Sequence, residues 1–338
     1  MLRSLLCIAM VSTYATVALA DEKPNHSEEP QGVDKICVEA KAVQPLVASS
    51  IAKTFLDAAP KLPRIKNRKL YLDESTRTYY SPQRRKEIEE KQGITLVEKE
   101  VSERFFYTTK FGTPIAYVRA LELFAPHSDG KLAGKRILDF GYGNIGQLRM
   151  LATCGVDAVG VDVDPLFREL YSQPEDQGDV PCGSGKTGHV KIIDGRFPEI
   201  ASEVGGGYDL ITSKNTLKNG FFNPESHVPK ERLVDLGVSL EEFAKTIHKA
   251  LKPGGVFLIY NICPAPSKPE EPYKHWADGR SPFSKEMLEA TGFKVVSYNA
   301  NDDKETRRMA KALGWAEPDR GMDLENDLFG TYTIAIKK

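Results

Sequence analysis

The 338-residue sequence contains only five cysteines, and they are widely and irregularly spaced. That spacing is neither a metal-ligand pattern nor the dense framework that staples small exported domains, so no metal is expected. A charge excess of either sign is also missing. With 46 basic and 47 acidic residues, the formal net charge is -1, which removes the general electrostatic case for nucleic-acid binding. There is no internal repeat and no low-complexity tract. Beyond the first twenty residues, no stretch approaches the roughly 20 apolar residues needed to span a bilayer, so no transmembrane segment is expected in the mature chain. The rest, 41% hydrophobic and 28% charged, has the balance of an ordinary globular protein. The length suits one large domain with an accessory region.

The N-terminus reads differently. Met1 to Ala20 carries Arg3, an apolar stretch through Leu5, Leu6, Ile8 and Val11, and then Ala18-Leu19-Ala20. This is the layout of a signal peptide, with small residues where a signal peptidase requires them. Cleavage near Ala20 and export, to a periplasm or outside the cell, are expected. Cys7 would leave with the peptide, while Cys37, Cys154, Cys182 and Cys263 would remain. Four cysteines permit two bridges in three pairings, but buried free thiols fit their spacing at least as well. Asp21 to Asp34 is polar with prolines and reads as a linker. Residues 35–130 read as a helical, charged cap, with helices near Val43–Ala58, Pro82–Gln92 and Pro114–Phe124. The aromatics Phe105, Phe106, Tyr107 and Phe111 suit packing against the domain that follows.

After Gly134 short apolar runs alternate with helical stretches, the signature of βαβ units. The runs are Arg136–Phe140, Ala158–Val163, Val190–Ile193, Tyr208–Ser213 and Val256–Ile262, closed by Lys294–Tyr298 and Thr331–Ile336. The expected fold is α/β: a doubly wound, mostly parallel seven-stranded sheet over residues 131–338, with an antiparallel edge pair and a helical N-terminal extension.

One motif carries chemistry. Asp139-Phe140-Gly141-Tyr142-Gly143-Asn144-Ile145-Gly146 follows a strand and opens a helix. Its glycines allow a sharp turn and a close approach of backbone to ligand. GxGxxG alone fits a nicotinamide dinucleotide equally well. Asp139 tilts the choice: a carboxylate beside the loop disfavours a pyrophosphate and favours a cationic ligand end, such as an amino group with a sulfonium. The second strand ends in Gly160-Val161-Asp162-Val163-Asp164-Pro165. Asp162 there is placed to accept from two ribose hydroxyls, and Asp164 to cap the next helix ahead of Pro165.

In these features residues 131–338 resemble the class I S-adenosylmethionine-dependent methyltransferases. The resemblance implies a Rossmann-like domain, S-adenosylmethionine as cofactor, and methyl transfer to an acceptor it does not name, a small molecule or otherwise. It also assigns Asp194 to the adenine amino group, Gly195 and Arg196 to nearby cofactor contacts, and Ser213-Lys214-Asn215 to the border between methyl donor and acceptor. The Asp/Asn-Pro-Pro-Tyr motif of amino-group methylases is absent. Leu251-Lys252-Pro253-Gly254-Gly255 is the turn before the fifth strand. Two other readings stay open: a NAD-dependent oxidoreductase using the glycine loop, and an exported non-catalytic module that keeps the fold.

Gly183-Ser184-Gly185-Lys186-Thr187 imitates a phosphate-binding loop. Val180 stands where that motif needs its first glycine, and a strand rather than a helix follows. Lys214, His227 and His275 are candidates to take a proton from an acceptor, being near or beyond the ends of the fourth and fifth strands. The loop Pro264 to Pro282, with Tyr273, His275, Trp276 and Arg280, is a candidate wall of the acceptor pocket.

Overall fold

The structure is a computed structural model and describes residues 30–109, 112–182, 186–317 and 321–338. The expected signal peptide, most of the expected linker, Phe111 and the tip of the imitation phosphate loop lie outside those residues.

The N-terminal layer begins with α1 (Gly32–Val43) and α2 (Ser50–Leu56). A single helix over 43–58 is not formed. Pro45 sits in a short 3-10 turn between the two, where its ring and missing N–H would break a continuous α-helix. Ser49 restarts the chain by accepting from the Ala52 N–H. The layer is also less helical than its composition suggests. It contains a three-stranded antiparallel sheet, β1 (Arg68–Asp73), β2 (Thr78–Tyr80) and β3 (Val97–Val101), in the order β2-β1-β3. Helix α3 (Pro82–Gln92) lies between β2 and β3, starting at a proline and stopping at Gly93, whose φ of 64° closes it. α4 (Glu103–Thr108) and α5 (Val118–Phe124) lead to the main domain.

Among the described residues the main sheet has eight strands rather than seven. Five run parallel: β4 (Arg136–Phe140), β5 (Asp157–Asp162), β7 (Lys186–Asp194), β8 (Tyr208–Lys214) and β9 (Leu251–Cys263). The unexpected strand is β6 (Gly178–Cys182), antiparallel to β7 at the sheet edge. Pro181 is tolerated there because an edge strand leaves some of its N–H groups unpaired. β10 (Phe293–Asn301) and β11 (Phe329–Lys337) form the expected antiparallel pair, giving the order β10-β11-β9-β8-β4-β5-β7-β6. The Leu251 turn is drawn into β9: Lys252, Pro253 and Gly254 form an exposed irregularity in its pairing with β8.

Alternate residues of the central strands enter two separate cores. Ile137, Leu210 and Leu258 face the N-terminal layer with α6 (Gly146–Thr153) and α7 (Pro165–Leu170). Leu138, Ile211 and Phe257 face the other side, where α8 (Ala201–Val204), α9 (Asn219–Phe222), α10 (Leu240–Ala250) and α11 (Lys285–Ala290) lie. Covering both faces requires strands that are apolar throughout, which is why these runs stand out in the sequence. α12 (Asp303–Ala312) and α13 (Leu324–Asp327) separate the last two strands.

Charge pairs fix the N-terminal layer to the sheet. Arg68 of β1 makes two bonds to the fully buried Asp176, one of 2.7 Å, and a third to the Leu170 carbonyl. Arg119 of α5 grips Asp302 at 2.6 and 2.7 Å. Arg84 of α3 pairs with the buried Glu169.

Candidate active site

The carboxyl ends of parallel strands present their last residues to a common crevice. Here β4, β5, β7 and β8 open onto one cavity of about 340 Å³. It brings together Asp139, Gly141, Tyr142, Gly143, Asn144, Asp162, Gly195, Arg196, Lys214 and Asn215.

The glycine loop is built as its composition demands. Gly141 and Gly143 have φ of 72° and 65°, a region that costs other residues dearly, and a Cβ on Gly141 would strike the Thr216 side chain. Several side chains hold the loop. The Thr109 hydroxyl donates to the Gly143 carbonyl at 2.6 Å, Asn144 Oδ1 accepts from the Gly146 N–H at 3.1 Å, and Gln147 Nε2 donates to the Tyr142 carbonyl at 2.6 Å. Tyr142 lines the cavity, while its ring packs on Phe167 with centroids 5.2 Å apart.

Asp139 is 2% exposed. Its Oδ2 accepts from Gln147 Nε2 at 3.0 Å, and its Oδ1 has no partner among the described residues. Burial pushes its pKa up to about 7, although the Gln147 bond and the Lys214 charge pull the other way. Asp162 is held by three backbone N–H groups, those of Gly143, Val163 and Asp164 at 3.3, 2.8 and 3.0 Å. A carboxylate offers about four lone-pair sites, so one hydroxyl can be accepted here rather than the two expected. Burial raises Asp162 to about 6. Asp164 caps α7 by accepting from the Leu166 N–H. Lys214, at the end of β8, is pushed down to about 8 by burial and by Lys218, with Asp139 opposing the shift. Asn215 adopts φ of 67°, and its Oδ1 accepts from the Ile262 N–H at 2.7 Å.

Several candidates lie elsewhere. Gly146 packs under the loop, where a Cβ would press on Pro114 and the Tyr107 carbonyl. Asp194 is turned to Arg168 at 3.1 Å, and the residues that follow β7, Gly195, Arg196 and Phe197, line the cavity instead. Ser213 is fully buried, its hydroxyl accepting from the Leu217 N–H. His227 is exposed outside the cavity. His275 is buried against Phe221 and Trp276, with ring centroids 5.6 and 5.1 Å away, and does not reach the cavity. The loop 264–282 is not its wall either. Arg280 pairs with Asp278 and Glu225, and the Tyr273 hydroxyl accepts from the Glu225 N–H.

The wall is formed by residues the motif does not announce. Thr113, Pro114 and Tyr117 come from the N-terminal layer, Gln147 from α6, and Lys230, Glu231 and Leu233 to Leu236 from the loop before α10. Only Gln147 has a local signal, a polar residue in the first turn of the helix behind the glycine loop.

A doubly wound sheet whose glycine loop and strand-end acids meet at one cavity defines the class I methyltransferase architecture. The model of a methyltransferase domain family matches residues 115–298, and the chain belongs to that family. It is an S-adenosylmethionine-dependent methyltransferase, and neither the dehydrogenase reading nor the non-catalytic one gains support. No curated protein matches the chain. Among solved structures, phosphoethanolamine N-methyltransferase 2 of Haemonchus contortus is 16% identical over 72% of this chain, with a TM-score of 0.39. The match spans 62% of that longer protein. An S-adenosylmethionine-dependent methyltransferase of Mesorhizobium loti is 19% identical, covering 66% of this chain and 98% of its own, with a TM-score of 0.38.

Proposed function

We propose that the cavity holds S-adenosylmethionine over the glycine loop and exposes its methyl group to a small-molecule acceptor enclosed by the wall of Thr113, Pro114, Tyr117, Phe221, Leu233 and Val234. The observation that carries this reading is Asp139, a residue lining the cavity beside the loop, whose buried carboxylate oxygen Oδ1 has no partner among the described residues. A cationic ligand satisfies it and a diphosphate does not. When bound, S-adenosylmethionine supplies an electrophilic methyl carbon on a positively charged sulfur. In this reading Asp162 accepts from one ribose hydroxyl, and the backbone of Gly195 to Phe197 borders the adenine. The loop and the apolar wall exclude water and fix the acceptor in line with the methyl group. Lys214 is the one proton-transfer candidate of the three that lines the cavity. With its pKa near 8, part of its population is neutral at physiological pH and able to accept a proton from an acceptor that must lose one.

Thermal unfolding tests the cofactor. S-adenosylhomocysteine at 100 times its Kd should stabilise the folded chain by about 2.7 kcal/mol, while NAD leaves the transition unchanged. Stabilisation by NAD, or by neither compound, would overturn the reading.

A further inference from the structure

Two cysteines meet at the end of α6 that lies away from the glycine loop. Cys154 caps that helix, and Gly155 after it turns the chain with φ of 84°. Cys182 ends the edge strand β6, in which half-buried Gly178, Val180 and Cys182 alternate with exposed residues. Val180 packs on the same core as Cys154, so by the two-residue period of a strand Cys182 shares that face. A Cβ placed on Gly155 would lie 3.4 Å from Cys182 Sγ. The sulfur thus rests against the residue next to Cys154, and Cys182 acts on the Cys154 thiol alongside Lys61 and Asp57. Close packing fixes the arrangement: Gly188, opposite Val180 in the β6–β7 pair, leaves no room for a Cβ against the Ala152 carbonyl of α6.

The other two cysteines of the described residues stand apart. Cys263 is buried on β9, five strand positions from β6 in the sheet order, or about 24 Å at the usual spacing of neighbouring strands. Cys37, on α1, has Asp34, Arg64 and Lys41 as its charged neighbours.

We propose that Cys154 and Cys182 are a disulfide pair, reduced in this structure and bridged when the chain meets a disulfide oxidant. The export expected from Met1 to Ala20 would bring it to a compartment that holds one. Cys182, half-buried at the strand end, reacts first: its thiolate attacks one sulfur of the oxidant and expels the other as a thiol. Cys154, whose burial lifts its pKa to about 12, is less readily ionised and reacts second. It gives up the Thr54 carbonyl that its Sγ meets at 3.3 Å, loses its proton and attacks Cys182 Sγ, expelling the second thiol. Two thiols become one S–S bond, while the oxidant gains two electrons and two protons. The bridge closes a ring over residues 154–182, which carries β5 with Asp162, and α7. It ties the edge of the sheet to the helix behind the glycine loop.

Thiol mapping tests the pair. The purified chain is reduced, incubated with oxidised glutathione, unfolded without reductant, labelled with a maleimide and digested. Cys154 and Cys182 should lose their labels to one cross-linked peptide pair, while Cys37 and Cys263 stay labelled. In Cys182→Ser, Cys154 should remain a labelled thiol. Full labelling of Cys154 and Cys182 in the unaltered chain, glutathione retained on both, or a bridge to any other cysteine or to a second chain would overturn the pairing. So would loss of the Cys154 label in Cys182→Ser. Because the oxidant is added directly, the result bears on the pair whether or not the chain is exported.

Discussion

Replacing Asp139 with asparagine should make the protein more stable and worse at binding its donor, and the two effects should part company with pH. The folded chain raises this carboxyl to about 7, while an unfolded chain holds it near about 4. Between those values the folded state keeps a proton that the unfolded state has lost. Relative to stability below about pH 4, the site therefore costs free energy increasingly as pH rises, levelling off above about pH 7. The gap between the two values corresponds to an upper figure of about 4 kcal/mol. An asparagine side chain cannot ionise and escapes the cost, so the variant should unfold at higher urea than the unaltered chain at pH 7.5 and lose that advantage by pH 4. Donor binding runs the other way. From pH 7 to pH 5 the ionised fraction of Asp139 falls from about one half to about one hundredth, which should weaken S-adenosylmethionine about fiftyfold through this group. Asp162, raised to about 6, adds its own dependence, and that part remains in the variant. Calorimetry across this range should therefore show the slope of log affinity against pH falling by up to about one proton in Asp139→Asn. A variant less stable than its parent at pH 7.5, with an unaltered binding slope, would refute the reasoning.

Two further changes test the frame around the site. Arg68→Ala removes the main partner of the fully buried Asp176, leaving Arg149 at 3.8 Å and the Gln173 N–H, and should lower stability by about 3 kcal/mol in urea unfolding, far more than the loss of a surface pair. Gly141→Ala forces a side chain into φ of 72° against Thr216. It should abolish the thermal shift given by S-adenosylhomocysteine, with far-ultraviolet circular dichroism confirming that the fold persists.

What the sequence reveals of this molecule follows from whether the cause is local. The central strands are legible because both faces are buried, making runs such as Val256–Ile262 apolar almost throughout. The glycine loop is legible because its backbone demands small residues in order. β3 is not: Val97-Glu98-Lys99-Glu100-Val101 has the lysine and glutamate content of an exposed helix, and only pairing with β1 makes it a strand. Asp194 shows the same limit in the site. Its position after β7 matches expectation, yet Arg168, 26 residues earlier in the chain, draws its carboxylate aside. Tyr117 gives no sign in the sequence that it lines the cavity, because it comes near Asp139 only once the N-terminal layer is seated.

That seating has a consequence for how the molecule could adapt. Arg119 stands two residues beyond Tyr117, and its partner Asp302 begins the segment that links the final two strands. A substitution in this distant connection could thus tilt α5 and retune ligand preference while every group that touches the ligand keeps its identity. Variation in specificity need not be sought at the pocket alone.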